Sequence, residues 1–295
     1  CRSCPAGRDI PLAEDRIAGY RRFGNKIWNA VRFALMNLED FDPSKPESNR
    51  SERSIFDRWI LSRLSRVARA AKDQLDAYRF DEAANAIYRF WWGELCDWYL
   101  ELIKPTLYKP ASPAARLAAQ HTLYRVMDGA LRLIHPFMPF LAEELWHRLP
   151  GVEGSLMRAS FVLIDDMDDD EAESDVGFIV DLISAIRSAR VDLGIAPGMK
   201  LSVSVRAGGR NLSLVESATR EICALARLDS VECGESLERP GGSISREIEG
   251  AAIYSPVAGL VDVSARLNKL KKELDKAESS LKAAESRLAD ERFLS

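Results

Sequence analysis

Residues 54–78 read SIFDRWILSRLSRVARAAKDQLDAY, and the spacing within them decides the kind of molecule this is. Phe56, Trp59, Ile60, Leu64, Val67, Ala71 and Leu75 recur every three or four positions, the period of one helix face. Arg58, Arg63, Arg66, Arg69 and Lys72 fall largely on the outward side. Ser54 fits as the N-cap, with Asp57 three residues on completing an imperfect capping box. A helix that is apolar on one stripe and charged on the other needs further helices to cover the stripe.

Those helices are written on both sides of it. Upstream, a long helix is expected from near Pro11 to about Leu38, with Ile17, Tyr20, Ile27, Val31, Ala34 and Leu38 as its apolar stripe. At about 100° per residue, Arg22, Asn25, Lys26, Asn29 and Arg32 fall on the opposite side. Downstream, Asp81 is expected to cap a third helix that runs through Ile87, Phe90, Trp91, Leu95, Trp98, Tyr99 and Leu102 to Lys104 and ends before Pro105. Its aromatic density places it in the middle of a bundle. Ser112-Pro113 starts a fourth helix that ends at His135-Pro136, and a short fifth spans about Pro139 to Leu149. Four long amphipathic helices with short polar connections predict a mainly α protein built on an antiparallel helical bundle.

After residue 155 the pattern changes to that of a small α+β unit. A helix near 175–192 precedes Leu201, Val203 and Val205, which alternate with polar residues as a strand does. A helix over about 213–228, a strand around 230–234, a Gly-Gly turn and a strand-like 251–258 complete it. From about Val263, Leu267, Leu270, Leu274, Ala277, Leu281, Ala284 and Leu288 keep an a/d heptad, one strand of a coiled coil. The expected layout is a junction at 1–10, the bundle at 11–155, a linker and small α+β domain at 156–262, and a coiled-coil helix at 263–295.

Composition narrows the function. With 46% hydrophobic and 29% charged residues in a chain of 295, a folded core is expected and disorder is excluded. Charges interrupt every apolar stretch short of the roughly 18–20 residues of a membrane span, so the expectation is a soluble, cytoplasmic protein. Cys1, Cys4, Cys96, Cys223 and Cys233 are odd in number and irregularly spaced, which suits free thiols rather than disulfides or zinc. The net charge of -4 hides an asymmetry, because residues 165–175 hold eight acidic side chains and no base while 1–164 sum to +4. Read as a solvated linker, the acidic run leaves an RNA partner open.

No phosphate-binding loop, dinucleotide-binding turn, zinc helix or nucleophile elbow is present. His121, His135 and His147 sit in helical or helix-end contexts, and no catalytic residue or metal ligand is assigned. Recognition is therefore expected rather than catalysis. The basic face of the first helix offers charge to phosphates and donors to base edges, and Phe33 beside it could stack an unpaired base. From periodicity alone, a solvated face with Phe33 packed on a neighbouring helix is the better account.

Longer motifs shift that balance. Gly7-Arg8-Asp9-Ile10, the run from Gly19 through Asn25-Lys26-Ile27-Trp28-Asn29 to Phe33, Asp57 to Leu64, Tyr78 to Ala84, Phe90 to Glu101, and His135-Pro136-Phe137-Met138-Pro139-Phe140 to Trp146 resemble, in order, the anticodon-binding helical domain of valyl-tRNA synthetases. The later α+β region and the terminal heptads, with Arg287 to Leu294, are similar to that family's C-terminal region. The resemblance implies an enzyme that uses ATP, with Mg, to attach valine to tRNA(Val) and that edits mischarged threonine. The HIGH and KMSKS motifs and the editing domain are absent, so the chain is expected to be a portion of such an enzyme, inactive without the missing catalytic and editing domains.

By the same resemblance Phe33 would stack an anticodon base, with Arg16, Arg22, Asn25, Lys26, Asn29 and Arg32 contacting phosphates and bases. Lys269, Lys271, Lys272, Lys276 and Lys282 would meet tRNA from the terminal arm. That helix lacks the returning partner of the family's coiled-coil hairpin, and self-association through its leucine seam is expected. The alternatives are the matching part of an isoleucyl- or leucyl-tRNA synthetase, or a free-standing RNA-binding or coiled-coil scaffold protein. Asn25-Lys26-Ile27-Trp28-Asn29 together with the terminal heptads favours valine, because the isoleucine family typically ends in a cysteine-rich zinc segment that this chain lacks.

Overall fold

A computed structural model describes residues 14–45, 50–161, 167–196, 198–256 and 263–288. The chain divides into two compact units, Cys1–Val180 and Asp181–Ser295. The first is helical, with α1 (Glu14–Asn37), α2 (Ile55–Asp76), α3 (Phe80–Arg89), a π-helical stretch (Phe90–Tyr99), α4 (Leu100–Leu102), α5 (Lys104–Tyr108), α6 (Pro113–Ile134) and α7 (Pro139–Trp146). Helix α8 (Asp170–Asp192) carries the chain across the division. Then come β1 (Leu201–Ala207), α9 (Gly209–Ser217), α10 (Thr219–Ala226), β2 (Leu228–Gly234), β3 (Ser243–Ile248), β4 (Ala251–Pro256) and α11 (Val263–Leu288).

The bundle forms because its stripes meet as their spacing predicts. Ile27, Val31 and Ala34 of α1, Ile60 and Leu64 of α2, Ile87 of α3 and Leu123, Val126 and Met127 of α6 are all fully buried. The π-helical stretch lies in their midst, with Phe90, Trp91, Leu95 and Tyr99 removed from solvent and the Trp91 indole donating to the Ala130 carbonyl at 3.1 Å. A buried indole N–H or phenol O–H needs such a partner. Tyr99 finds its own in Asp57, at 2.9 Å.

Asp57 also closes the start of α2. Its carboxylate accepts from the Ser54 N–H at 3.0 Å and the Ser54 hydroxyl at 2.7 Å, while Ser54 Oγ accepts from the Asp57 N–H at 3.2 Å. Both halves of the capping box are therefore present. Burial pushes the Asp57 carboxyl up, and burial beside that acid pushes the Tyr99 phenol well up. One carboxylate thus serves as helix cap and as a tie between α2 and the π-helical stretch.

Several local expectations are corrected. Tyr20 is 44% exposed, and the stripe of α1 is completed instead by Phe23, which lies 4.6 Å from the Tyr88 ring and 6.2 Å from that of Trp92. Asp81 is not a cap; α3 begins one residue earlier, Arg79 makes no side-chain cap, and Asp81 sits in the first turn. The helical run does not stop before Pro105, because that proline occupies the first turn of α5, where its missing N–H costs nothing. Helix α7 ends at Trp146, three residues short of Leu149.

In the second unit Leu201, Val203 and Val205 point inward from β1 as their alternation predicts. The sheet order is β2-β1-β4-β3, with β1 and β2 parallel and the other two pairings antiparallel. Strand β3 was not expected, and the single helix over 213–228 is two, α9 and α10, meeting at Ala218. Arg227 turns the chain out of α10 in the left-handed conformation, at φ 56°. No described helix is long and apolar enough to cross a membrane.

Tyr99→Phe removes one of the donors to a buried carboxylate, so the variant should lose about 1–3 kcal/mol of stability in urea unfolding monitored by circular dichroism. An unchanged midpoint would show that the Asp57 tie contributes nothing.

Candidate nucleic-acid interface

Two helices carry rows of arginine, and their partners differ. On α2, Arg58 meets Asp169 through two bonds of 2.7 and 3.0 Å and reaches Glu171 at 3.2 Å. Arg63 grips Glu94 at 2.9 and 3.0 Å and Glu173 at 3.0 Å. Arg66 pairs with Glu173 at 2.8 Å and with Asp170, and Arg69 with Asp168. The fully buried Ser62 hydroxyl donates to Glu173 and accepts from the Asp169 N–H at 3.0 Å. Lys72 turns to Asp76 of its own helix at 2.5 Å.

The acidic run is therefore not a solvated linker over its described part. Residues 168–173 form a counter-charge to α2, and Asp170 opens α8. Hydrogen bonding from Arg58 holds the Asp169 carboxyl below its usual range, and Arg69 does the same for Asp168. The Glu94 and Glu173 carboxylates raise the Arg63 guanidinium in turn. Arg58 and Arg63, each forked onto a carboxylate, have their planar donors occupied, and Arg66 and Arg69 are each neutralised by ion pairs, so the α2 row offers phosphate no uncompensated cation among these four.

Helix α1 keeps its outward side open. Arg22, Asn25, Asn29 and Arg32 are exposed, and among the described residues no carboxylate engages either arginine. Trp28, 39% exposed, and the exposed Met36 extend this side, and the Arg148 guanidinium lies 5.3 Å from the Trp28 ring centre. Behind the strip, the approach of Met138 and Leu141 to within 3.7 and 3.9 Å of a side-chain position at Gly24 sets α1 against the start of α7.

The remaining expected site residues are placed differently. Lys26 bonds Asp97 at 2.5 Å and the Trp92 carbonyl at 3.2 Å, with its ammonium 3.9 Å from the Trp92 ring centre. It fastens α1 to the π-helical stretch. Phe33 is half-buried at the edge of the strip, with the Lys104 ammonium 5.7 Å from its ring centre. The side chains of Arg16 and Lys269 lie outside the described residues. Lys271, Lys272, Lys276 and Lys282 are exposed on α11, as are Leu274 and Leu281 of its heptad, at 58% and 59%. Periodicity gave no role to Trp28, Met36 or Arg148, although a tryptophan off the apolar stripe of a helix is itself a signal.

Cys96, Cys223 and Cys233 are unpaired thiols, and burial pushes that of Cys96 up to about 12. Cys1 and Cys4 lie outside the described residues. Among the described residues no group of three His, Cys, Asp or Glu side chains is placed to hold a metal ion.

A helical bundle that neutralises one arginine row internally and presents another on its first helix has the charge layout of a recognition domain. Residues 57–205 match the family described as the anticodon-binding domain of tRNA ligase, and the chain belongs to that family. Across 98% of its length it is 40% identical to a valine–tRNA ligase of Syntrophotalea carbinolica and 39% identical to that of Geobacter sulfurreducens. The corresponding ligase of Fusobacterium nucleatum is 34% identical over the same share. The chain spans about a third of the length of these curated relatives, 32% of the first and 33% of the other two.

The clamp on α2 has a pH signature. Asp168 and Asp169 are held below the unfolded value of about 3.9, so the stability they contribute is complete above that pH and is lost as pH falls through their folded values. Thermal melts should therefore be flat from pH 6 to about 4 and fall steeply below it. Asp169→Asn should cost about 1 kcal/mol at pH 6 and flatten the acid limb; an identical acid limb in the variant would show that the pair is not what titrates.

Proposed function

We propose that this chain is the tRNA-recognition portion of a valine–tRNA ligase, and that the outward face of α1 reads the anticodon region of tRNA(Val). The observation that carries the reading is the contrast between the helices: α2 has its arginines paired with Glu94 and residues 168–173, while among the described residues no carboxylate engages Arg22 or Arg32 of α1, which stand beside Asn25 and Asn29. Cations without internal partners are those whose counterion exchange with a phosphate backbone is favourable. Amide side chains between them add donors and acceptors for base edges. Phe33 supplies a ring at the border of this strip and Lys104 a cation beside it. Lys26 acts by holding the helix in place.

In this reading residues 11–155 form the anticodon-binding bundle, 156–262 a linker and small mixed domain, and 263–295 a tRNA-binding arm. The exposed Lys271, Lys272, Lys276 and Lys282 of α11 would face phosphates, and its leucines would seek a second helix. ATP, Mg and valine would be handled by the remaining two thirds of the ligase, in the cytoplasm, and the chain by itself would do no chemistry.

Binding of a tRNA(Val) transcript at several salt concentrations tests the interface. Arg22→Ala and Arg32→Ala should each lower the slope of log affinity against log salt by about 0.7–1, while Arg69→Ala should leave it unchanged. Phe33→Ala should weaken binding about tenfold. Unchanged slopes in both α1 variants would move the interface elsewhere.

The arm makes its own prediction. Leu274 and Leu281 expose a heptad seam, and such a seam favours pairing with a second copy. Sedimentation across a hundredfold dilution should show a monomer–dimer equilibrium that Leu274→Glu with Leu281→Glu abolishes; a monomer at every concentration would mean the seam stays unpaired.

A further inference from the structure

The corner between α2 and α3 is built at a cost that the bundle does not recover. Tyr78 sits in the left-handed region at φ 58°. It closes α2 by donating its N–H to the Leu75 carbonyl at 3.0 Å, while the Arg79 N–H bonds the Gln74 carbonyl at 2.8 Å. This paired closure is the one for which helices normally use glycine, because a Cβ there crowds the following carbonyl. Burial of the side chain could offset the strain, but Tyr78 is 80% exposed. Phe80 is 48% exposed, its ring edge-on to Tyr78 with centres 6.2 Å apart. Two large rings thus stand in water on a strained turn, and strain of this kind points to use.

Their position follows from the packing of α1. Phe23 lies beside Tyr88, Lys26 beside Trp92 and Asp97, and Phe33 beside Lys104. Helix α1 and the helical run from Phe80 therefore travel side by side in the same direction. The Tyr78–Phe80 corner stands at the end of the bundle where the chain enters α1, the end at which Tyr20 is also exposed.

Charge says what kind of partner fits. Between residues 72 and 82, Lys72 and Arg79 are outnumbered by Asp73, Asp76, Asp81 and Glu82. Both bases are already paired within this stretch, Lys72 with Asp76 at 2.5 Å and Arg79 with Glu82 at 3.8 Å. A phosphate backbone is repelled by such a surface, whereas an apolar polypeptide patch with a basic rim is complementary to it. The chain matches the C-terminal region of its relatives and spans about a third of their length, so what precedes the match in them leads along the chain toward the start of α1.

We infer that Tyr78 and Phe80 are the docking point for the part of the ligase that precedes this chain in its relatives. The inference rests on the reading of the chain as a portion of a longer ligase. Hydroxyl-radical footprinting reads it directly, comparing the 295-residue chain with a fusion that places the preceding portion of the Syntrophotalea carbinolica ligase ahead of it. Labelling of Tyr78 and Phe80 should fall at least fivefold in the fusion, while Tyr108, exposed beyond the far end of α1, labels equally in both. Tyr78→Gly, which relieves the backbone strain, should raise the melting midpoint of the 295-residue chain by about 2 °C or more and yet loosen the fusion, seen as restored labelling of Phe80. Equal labelling in the two proteins overturns the docking, as does protection that appears only with added tRNA, or a lowered midpoint in Tyr78→Gly. A fusion that charges tRNA with valine while Tyr78 labels unchanged overturns the docking alone and leaves the proposed function standing.

Discussion

Four arginines of α2 face a cluster of carboxylates about a hundred residues later in the chain, and which basic face of the bundle stays open depends on that neutralisation. Arg58, Arg63, Arg66 and Arg69 are satisfied by Asp168, Asp169, Asp170, Glu171 and Glu173, with Glu94 of the π-helical stretch as a further partner. Arg58, Arg63, Arg66 and Glu173 each meet two opposite charges, while Arg69 pairs with Asp168, so part of the cost of ordering the side chains is shared within the set. Ser62 fits between them without leaving a buried hydroxyl unbonded. The start of α8 is anchored to the bundle by this contact, and α2 ceases to be a site for an outside anion.

The second constraint is the seat of α1. Phe23 enters the Tyr88 and Trp92 rings, and Lys26 is fixed over Trp92 by Asp97. With those two residues committed inward, the rotation of the helix about its own axis is set, and Arg22, Asn25, Asn29 and Arg32 can only face out. The π-helical stretch provides the seat. Its wider turn places the Trp92 carbonyl and the Asp97 carboxylate within reach of one ammonium, at 3.2 and 2.5 Å. Wide turns of this kind often lie next to functional surfaces.

Membership of the anticodon-binding family and the geometry of α1 are separate observations. The family match covers residues 57–205 and so begins after the helix that carries the open strip. The strip is distinguished by Arg22 and Arg32, which no carboxylate engages among the described residues, independently of that match. The ligases of the three relatives are about three times as long as this chain.

Local rules made much of this legible. The three-to-four spacing in residues 54–78 determined α2 and its buried side, Ser54 and Ser112 marked the starts of α2 and α6, and the alternation at Leu201, Val203 and Val205 marked β1. The basic side of α1 was also readable, because a helix places residues three and four apart on one face wherever it sits. Which basic face stays free was not readable. That depends on carboxylates distant in the chain folding back onto α2, and periodicity carries no information about contacts between residues 58 and 169. The π-helical stretch, the exchange of Tyr20 for Phe23 in the stripe of α1 and the inward commitment of Lys26 were hidden for the same reason. Sequence spacing determined which residues share a face, and only the tertiary structure decided what each face meets, since a charge or a ring takes its role from the groups brought within a few ångströms of it.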